Sequence, residues 1–189
     1  MTPKTPEERR INIEKSRILA SALFPHEKWI PKEANIWVAK SRLVEEYRET
    51  DKWEREMSQV RILIGRGSAA YFLPEQEIKG ESGKRCADLV LDGEIMEMKT
   101  VSGTRVTLGG EFRLAYKQGA SLLIENAIVQ EHSVFIRLKT DLSLISVMSK
   151  IAGELKGRSD NGRFICYFET NGNLYSWTYE ELRGIIGKK

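Results

Sequence analysis

The amino-acid sequence predicts an α/β fold in which helices flank a mixed β-sheet. Two observations point to it. Apolar residues recur with helical spacing as far as Gly65, and from there short alternating runs are interleaved with helical ones. The 189 residues, of which 41% are hydrophobic, suffice for one core. We therefore expect an N-terminal helical extension over residues 1–50 and one α/β domain over residues 51–189.

Three helices are predicted before the sheet begins. Pro6, followed by two acidic residues, starts a helix that stops before Pro25, and a connector runs on to Pro31. Apolar stripes predict a second helix over residues 34–47 and a third over residues 51–64. The stripe of the third helix consists of Trp53, Met57, Val60 and Leu63.

The remaining elements are predicted from alternation, turn residues and helix caps. They are a strand at 69–73, a polar loop at 75–85, a hairpin at 86–99, a loop at 103–110, a helix at 111–129, a strand at 132–138, a helix at 141–156 capped by Thr140, and strands at 163–170 and 174–177 joined at Asn171-Gly172. Thr178 and Glu181 form a capping box that begins a final helix.

The first hairpin is the most informative segment, because its turn sets the pairing register. Asp92-Gly93 is the dipeptide preferred in a two-residue type I′ turn. Folding about this turn pairs Leu91 with Glu94, Val90 with Ile95, Leu89 with Met96 and Asp88 with Glu97. One face then carries a core surface made of Ala87, Leu89, Leu91, Met96 and Met98, and the other face carries Cys86, Asp88, Val90, Ile95, Glu97 and Lys99.

Asp88, Glu97 and Lys99 form the candidate catalytic site on that second face. Two carboxylates opposed on paired strands repel each other unless a cation lies between them, and a divalent metal is the simplest such cation. Metal-dependent cleavage of a phosphodiester also needs a group that stabilises the developing negative charge, a task suited to Lys99. The competing interpretation is a solvated face on which Lys99 forms an ion pair with Glu97 or Asp88.

Two stretches of the sequence carry a resemblance to a known family. Residues 87–99 read Ala-Asp-Leu-Val-Leu-Asp-Gly-Glu-Ile-Met-Glu-Met-Lys, and residues 113–120 read Arg-Leu-Ala-Tyr-Lys-Gln-Gly-Ala. They resemble the PD-(D/E)XK nuclease superfamily, in particular the C-terminal nuclease domains of CdiA-type contact-dependent growth-inhibition toxins. Those domains have Pro-Asp-hydrophobic-Asp-Gly-x-x-x-(Glu/Asp)-x-Lys followed by a helix with Lys-x-Gln-Ala. Here Ala87 replaces the Pro and Gly119 interrupts Gln-Ala, and the similarity covers about residues 50–140.

The resemblance implies a restriction-endonuclease-like core and a metal-dependent endonuclease that hydrolyses phosphodiester bonds. It makes Asp88 and Glu97 ligands of Mg²⁺ or Mn²⁺, with Zn²⁺ as an alternative, and Lys99 the lysine of the Glu-x-Lys motif. The substrate it implies is tRNA, with DNA as the alternative. A cognate immunity protein is the expected partner if the chain is a toxin, whether delivered or borne by a mobile element.

Helix residues complete the site that the resemblance implies. Lys117 becomes a second active-site lysine, with Gln118 beside it. Glu56, or else Glu54, is the upstream helix glutamate that often completes such sites.

Arginines and a loop are further candidates for contact with nucleic acid. Arg105 and Arg113 are suited to phosphate contacts. The loop at 103–110 either closes on a nucleic-acid strand or is a plain connector. His26 and His132 have no Cys or His near metal-ligand spacing, so both are expected to be surface or strand residues.

Composition bounds the remaining functions. Trp29, Trp37 and Trp53 could stack on bases, but packing against helices is the stronger expectation. Cys86 and Cys166 are expected to be reduced core thiols rather than a disulfide. The net charge of +3 permits nucleic-acid binding without arguing for it. Neither a signal peptide nor a membrane span is predicted, and the expected location is cytoplasmic.

Two alternatives to a metal-dependent nuclease remain open on the sequence. The domain could be a non-catalytic relative that binds nucleic acid or protein, although intact Asp88, Glu97 and Lys99 speak against degeneracy. It could also be a metal-independent ribonuclease of the barnase or colicin-like toxin group, which the scarcity of histidine disfavours.

Overall fold

The computed structural model describes residues 3–46, 50–75, 87–125, 132–158 and 162–186. In these residues the helices are α1 (Pro6–Leu23), α2 (Lys40–Glu46), α3 (Thr50–Ile64), α4 (Arg105–Glu125), α5 (Leu144–Glu154) and α6 (Tyr179–Ile186). The strands are β1 (Trp29–Glu33), β2 (Ile36–Ala39), β3 (Ala70–Phe72), β4 (Leu89–Leu91), β5 (Glu94–Val101), β6 (His132–Leu138), β7 (Arg163–Phe168) and β8 (Asn173–Thr178).

The eight strands of the described residues are hydrogen-bonded in chain order into one mixed sheet. The pairs β2–β3 and β6–β7 are parallel, and the pairs β1–β2, β3–β4, β4–β5 and β7–β8 are antiparallel. This confirms the predicted α/β class with a mixed sheet. The chain divides into two compact units, one of residues 1–96 with 121–130 and one of residues 97–120 with 131–189.

In the first unit, helices cover both faces of the short strands β3 and β4. Tyr71 and Val90 pack with Ala20 and Leu23 of α1 in one buried cluster. Because side chains alternate across a strand, Phe72 points to the opposite face. There its ring centroid lies 5.1 Å from that of Trp53 on α3.

The predicted helix over residues 34–47 is wrong in its first half, and so is the connector that was expected to reach Pro31. The chain instead forms the antiparallel pair β1–β2, which turns at Asn35 with φ 62°, a conformation that asparagine tolerates. Trp37 on β2 is in register with Tyr71 on β3 and stacks on it, with ring centroids 4.7 Å apart. Pairing with β3 therefore overrides the helical spacing, and α2 begins only at Lys40.

The second unit has its own core, formed between the sheet and helices α4, α5 and α6. Phe112 of α4 lies at its centre, with its ring 6.0 Å from Phe164 and 6.1 Å from Tyr179. Cys166 is buried in the same core as a free thiol, as predicted. Burial raises the pKa of this thiol far above its ordinary value, so it stays protonated at neutral pH.

The loop predicted over residues 103–110 is wrong, because α4 begins at Arg105. Gly109 lies at a close approach between helices, since a Cβ there would lie 2.2 Å from Cε of Lys150 on α5. The helix predicted from residue 141 begins instead at Leu144, where Ser143, and not Thr140, is the N-cap. A turn of irregular backbone thus precedes α5.

The other described elements agree with their predictions to within a few residues. They include α1, α3, β3, the hairpin β4–β5, β6, the hairpin β7–β8 and α6. The capping box before α6 is present, since Glu181 N–H donates to Oγ1 of Thr178 (3.1 Å) and Thr178 N–H donates to the Glu181 carboxylate (2.7 Å). The predicted loop beyond Glu75, Cys86 and the predicted helix end at 126–129 lie outside the described residues.

A substitution at Gly162 tests whether the chain is closely packed at the start of β7. A Cβ at this position would lie 1.5 Å from the carbonyl oxygen of His132, so Gly162→Ala forces the backbone to move. We expect the free energy of unfolding to fall by about 2–3 kcal/mol, as in other overpacked cores. Gly153→Ala on α5 is the matched control, because nothing lies within 4 Å of its Cβ. The control should gain up to about 1 kcal/mol through helix propensity. Urea denaturation of both variants measures the contrast, and equal stabilities would contradict it.

Candidate functional site

The hairpin β4–β5 has the register that the sequence predicts. Asp92 and Gly93 both have positive φ, 54° and 82°, as a type I′ turn requires. The pairs Leu89–Met96, Val90–Ile95 and Leu91–Glu94 are present. The pairing of Asp88 with Glu97 stays a prediction.

The turn of this hairpin is held by side chains from elsewhere in the first unit. Ser68 Oγ and Ala69 N–H each donate to the Asp92 carboxylate at 2.9 Å, and Lys4 forms an ion pair with it. Gly93 N–H donates to Ser16 Oγ of α1 at 2.9 Å. These contacts fix both ends of the turn, so the two strands cannot slip by one residue.

The face that the sequence assigns to the site is not solvated near the turn. Val90 and Ile95 are fully buried in the cluster that contains Ala20 and Leu23 of α1. The apolar character of the opposite face therefore reflects a strand pair that is buried on both sides. Carboxylates on these strands lie close to apolar surroundings, where charge is costly unless it is paired.

Asp88 belongs to a cluster of charged residues in the first unit, which we call the Arg42 cluster. It consists of Arg42, Lys52, Glu56, Glu75 and Asp88. The Arg42 guanidinium donates to the backbone carbonyls of Leu73 (2.9 Å) and Asp88 (3.1 Å) through Nη1. Its Nη2 forms an ion pair with Glu56 Oε2 at 2.5 Å.

Glu56 is the acid at the centre of the Arg42 cluster. Burial raises the pKa of its carboxyl, and the charge of Arg42 opposes that shift. Asp88 raises the pKa further, Lys52 lowers it and Glu75 raises it, and the net direction is upward. A carboxyl whose pKa is raised by burial and by neighbouring acids is typical of functional sites, because a bound cation would relieve both effects.

The Arg42 cluster has one net negative charge, since three carboxylates face two cations. Lys52 forms an ion pair with Glu75 and lies 3.9 Å from Glu56, while Arg42 Nη2 lies 3.7 Å from Glu75. The anionic donors are all carboxylate oxygens, which suit Mg²⁺ or Mn²⁺ better than Zn²⁺. Within the described ranges no group of three or more His, Cys, Asp or Glu side chains could hold a metal ion. Mg²⁺ is often held by only one or two carboxylates and keeps its remaining waters, so the donors of the cluster fit such an ion.

Glu97 and Lys99, the other two residues that the sequence predicts for the site, lie in the second unit. They lie two residues apart on β5, so their side chains leave the same face. Lys99 Nζ donates to Glu97 Oε1 at 2.5 Å, and Glu97 is only 1% exposed. The ion pair matches one interpretation of the sequence, but the burial of Glu97 does not fit a solvated face.

The residues predicted on α4 lie in different surroundings. Lys117 is exposed, and Gln118 is half-buried with an Oε1 that accepts no hydrogen bond from the described residues. Arg113 donates to both carboxylate oxygens of Glu154 on α5, each at 2.8 Å, and its contact with phosphate stays a prediction. Arg105 is exposed and donates to Ser149 Oγ at 3.3 Å.

Glu54 and Glu56, the alternative glutamates on α3, have different surroundings. Glu56 lies in the Arg42 cluster, whereas Glu54 is 65% exposed and contacts only Arg61, at 3.7 Å, among the described ion pairs. Glu56 is therefore the better candidate of the two.

The histidines and tryptophans agree with their structural interpretation. His26 is exposed, and His132 is buried on β6 against the ring of Tyr116, 4.7 Å away. Trp29, Trp37 and Trp53 all pack against aromatic side chains of β3. Each of the three indole rings therefore already contacts an aromatic ring of the protein.

Sequence reasoning missed Arg42, Lys52 and Glu75. A signal existed for Lys52, because a lysine four residues before Glu56 on a helix lies beside it. Glu75 directly follows the Leu73-Pro74 pair that comes after β3. Nothing in the sequence indicated Arg42, since its contacts come from three distant segments.

Comparison with known proteins identifies no relative. A scan against protein-family models finds no match, and searches of curated proteins and of solved structures find no similar chain. No helix in the described part of the chain is long and apolar enough to cross a membrane.

The ion pairs of Glu154 with Arg113 and Lys150 predict how the stability of the fold depends on pH. Burial raises the pKa of the Glu154 carboxyl, but hydrogen bonds from Lys150 and Arg113 outweigh it and the net direction is downward. A carboxyl whose pKa is lower in the folded than in the unfolded protein stabilises the fold at pH values above the unfolded pKa, near 4.5. This stabilisation is lost as the pH falls below 4.5 toward the pKa of the folded state. Glu154→Gln should therefore reduce the free energy of unfolding by about 0.5–1 kcal/mol at pH 7 and by less at pH 3. Chemical denaturation at the two pH values measures this, and a deficit that grows on acidification would contradict it.

Proposed function

We propose that this protein is a metal-dependent nuclease that hydrolyses phosphodiester bonds. The observation that carries the proposal is the buried Glu97 paired with Lys99 in a Glu-x-Lys sequence on β5. A buried ion pair contributes little net stability, because desolvation offsets the attraction, and buried ionisable groups cluster at functional sites. The sequence resemblance to the PD-(D/E)XK superfamily supports the same assignment.

The Arg42 cluster supports the proposal independently. It brings Asp88 and Glu56, both expected from the sequence to serve the site, close enough for the charge of Asp88 to raise the pKa of Glu56. We propose, as the sequence resemblance implies, that Asp88 and Glu97 are ligands of a divalent ion, Mg²⁺ or Mn²⁺. Such an ion would polarise the phosphate and acidify a coordinated water.

The protein's own residues have separate roles in the proposed reaction. Lys99 stabilises the negative charge that develops on the phosphoryl oxygens. Glu56 is held in place by Arg42 and adds negative charge beside Asp88. Lys117 on α4 is exposed and would contact a substrate phosphate. The substrate class proposed is RNA, with tRNA as the first candidate and DNA as the alternative.

Loss of the Lys99 ammonium should strongly reduce cleavage, measured at a temperature at which thermal denaturation shows the variant folded, because buried Glu97 loses its cation. Total tRNA and plasmid DNA are each incubated with the protein, with Mg²⁺, with Mn²⁺ and with EDTA. Lys99→Ala should reduce the rate at least about 100-fold, the usual effect of removing a group that stabilises transition-state charge. Lys139→Ala is the matched control, because this exposed lysine pairs with Glu169 outside the candidate site. Cleavage that persists in EDTA and leaves a cyclic phosphate would instead favour a metal-independent ribonuclease.

Asp88 should be needed for metal binding itself. Isothermal titration of the wild type with Mg²⁺ and Mn²⁺ should show binding that Asp88→Ala removes or weakens at least about tenfold, because a carboxylate ligand is lost. Asp141→Ala, which changes an exposed aspartate of the second unit, should bind as the wild type does. Equal heats for the wild type and Asp88→Ala would remove the metal-dependent assignment.

A further inference from the structure

Arg42 carries an inference that rests on the proposed function and deepens it. Its guanidinium connects three segments that are distant in the sequence: the carbonyl that follows β3, the carbonyl that precedes β4, and the carboxylate of Glu56 on α3. We propose that Arg42 is a positioning residue that holds the Asp88 main chain and the Glu56 carboxylate in the arrangement that binds the metal ion.

The first step of the argument is the geometry at Asp88. The Asp88 carbonyl accepts two hydrogen bonds, from Leu73 N–H at 3.0 Å and from Arg42 Nη1 at 3.1 Å. The same Nη1 donates to the Leu73 carbonyl at 2.9 Å. Arg42 thus holds the two strand ends together at the residue whose side chain is the proposed ligand, and fixing the main chain of Asp88 limits where its carboxylate can go.

The second step is the rigidity of the guanidinium itself. Arg42 is 4% exposed, and its Cζ lies 5.1 Å from the ring centroid of Phe72 and 6.0 Å from that of Trp53. A buried planar group that packs against two rings and donates to three oxygens is restricted in its rotation. Its Nη1 and Nη2 therefore point in fixed directions, one toward carbonyls and the other toward Glu56.

The third step is the energetics. A buried ion pair is weak grounds for stability, because the desolvation of both charges offsets their attraction. An apolar side chain at position 42 would pack against Phe72 and Trp53 without that penalty. The contacts of Arg42 are better explained by the acids that it positions, as residues behind metal ligands commonly do.

The test replaces the guanidinium of Arg42 by a group that has the same charge but a different shape. Arg42→Lys retains a cation near Glu56 and loses the simultaneous bonds to two carbonyls. Arg61→Lys is the matched control, because Arg61 on α3 also forms a forked ion pair, with Glu33, on the surface of the same unit. Thermal denaturation of each metal-free variant first establishes a temperature at which it is folded.

Three readouts are expected to move together in Arg42→Lys and to stay unchanged in Arg61→Lys. The dissociation constant for Mn²⁺, measured by isothermal titration, should rise at least about tenfold. Hydrogen exchange at the Leu73 amide of the metal-free protein should accelerate, since the Asp88 carbonyl loses its second donor. Where cleavage is measured, kcat should fall while KM for the nucleic acid stays constant.

Two results would overturn the inference while leaving the nuclease assignment in place. One is an Arg42→Lys variant that binds Mn²⁺ as tightly as the wild type does while Asp88→Ala does not bind it. The other, decisive if Arg42→Lys does not fold, is a Glu56→Gln variant with unchanged Mn²⁺ affinity. A wild type that binds no Mn²⁺ at all would overturn the nuclease assignment and the role of Arg42 with it.

Discussion

The constraint on which the first unit depends is the two-residue turn at Asp92-Gly93. Positive φ at both residues makes the turn match the twist of the strands, and the Asp92 carboxylate anchors it to Ser68 and Ala69. Side chains alternate along a strand, so a slip of one residue would exchange every inward and outward position. The burial of Val90 and Ile95 under α1 follows from that register.

A second constraint is the pairing of charged side chains that lie at or near the interior. Glu97 is buried beside Lys99, and Glu56, which is half-buried, lies beside the buried Arg42. Each acid has a cation within hydrogen-bond distance, as a buried carboxylate requires. The two acids differ in origin, because Glu97 and Lys99 are neighbours on one strand whereas Glu56 and Arg42 come from separate helices.

The errors of the sequence analysis have a common physical cause. Residues 36–39 and residues 105–110 both have local patterns that indicate a different structure from the one observed. For Ile36 to Ala39, hydrogen bonding to the edge of β3 outweighs helical spacing. For Gly109, packing of α4 against α5 outweighs the low helix propensity of glycine, since Gly109 leaves room for Lys150. Tertiary contacts decided both segments.

The sequence by itself determined the hairpin, its register as far as Leu89–Met96, the capping box that begins α6, and the adjacency of Glu97 and Lys99. These features depend on residues close together in the chain, where turn chemistry and periodicity act directly. Only the tertiary structure decided that both faces of the hairpin are buried, that Glu56 rather than Glu54 lies beside Asp88, and that Arg42 joins them. Those outcomes require segments up to 46 residues apart to meet, and no local pattern encodes such a meeting.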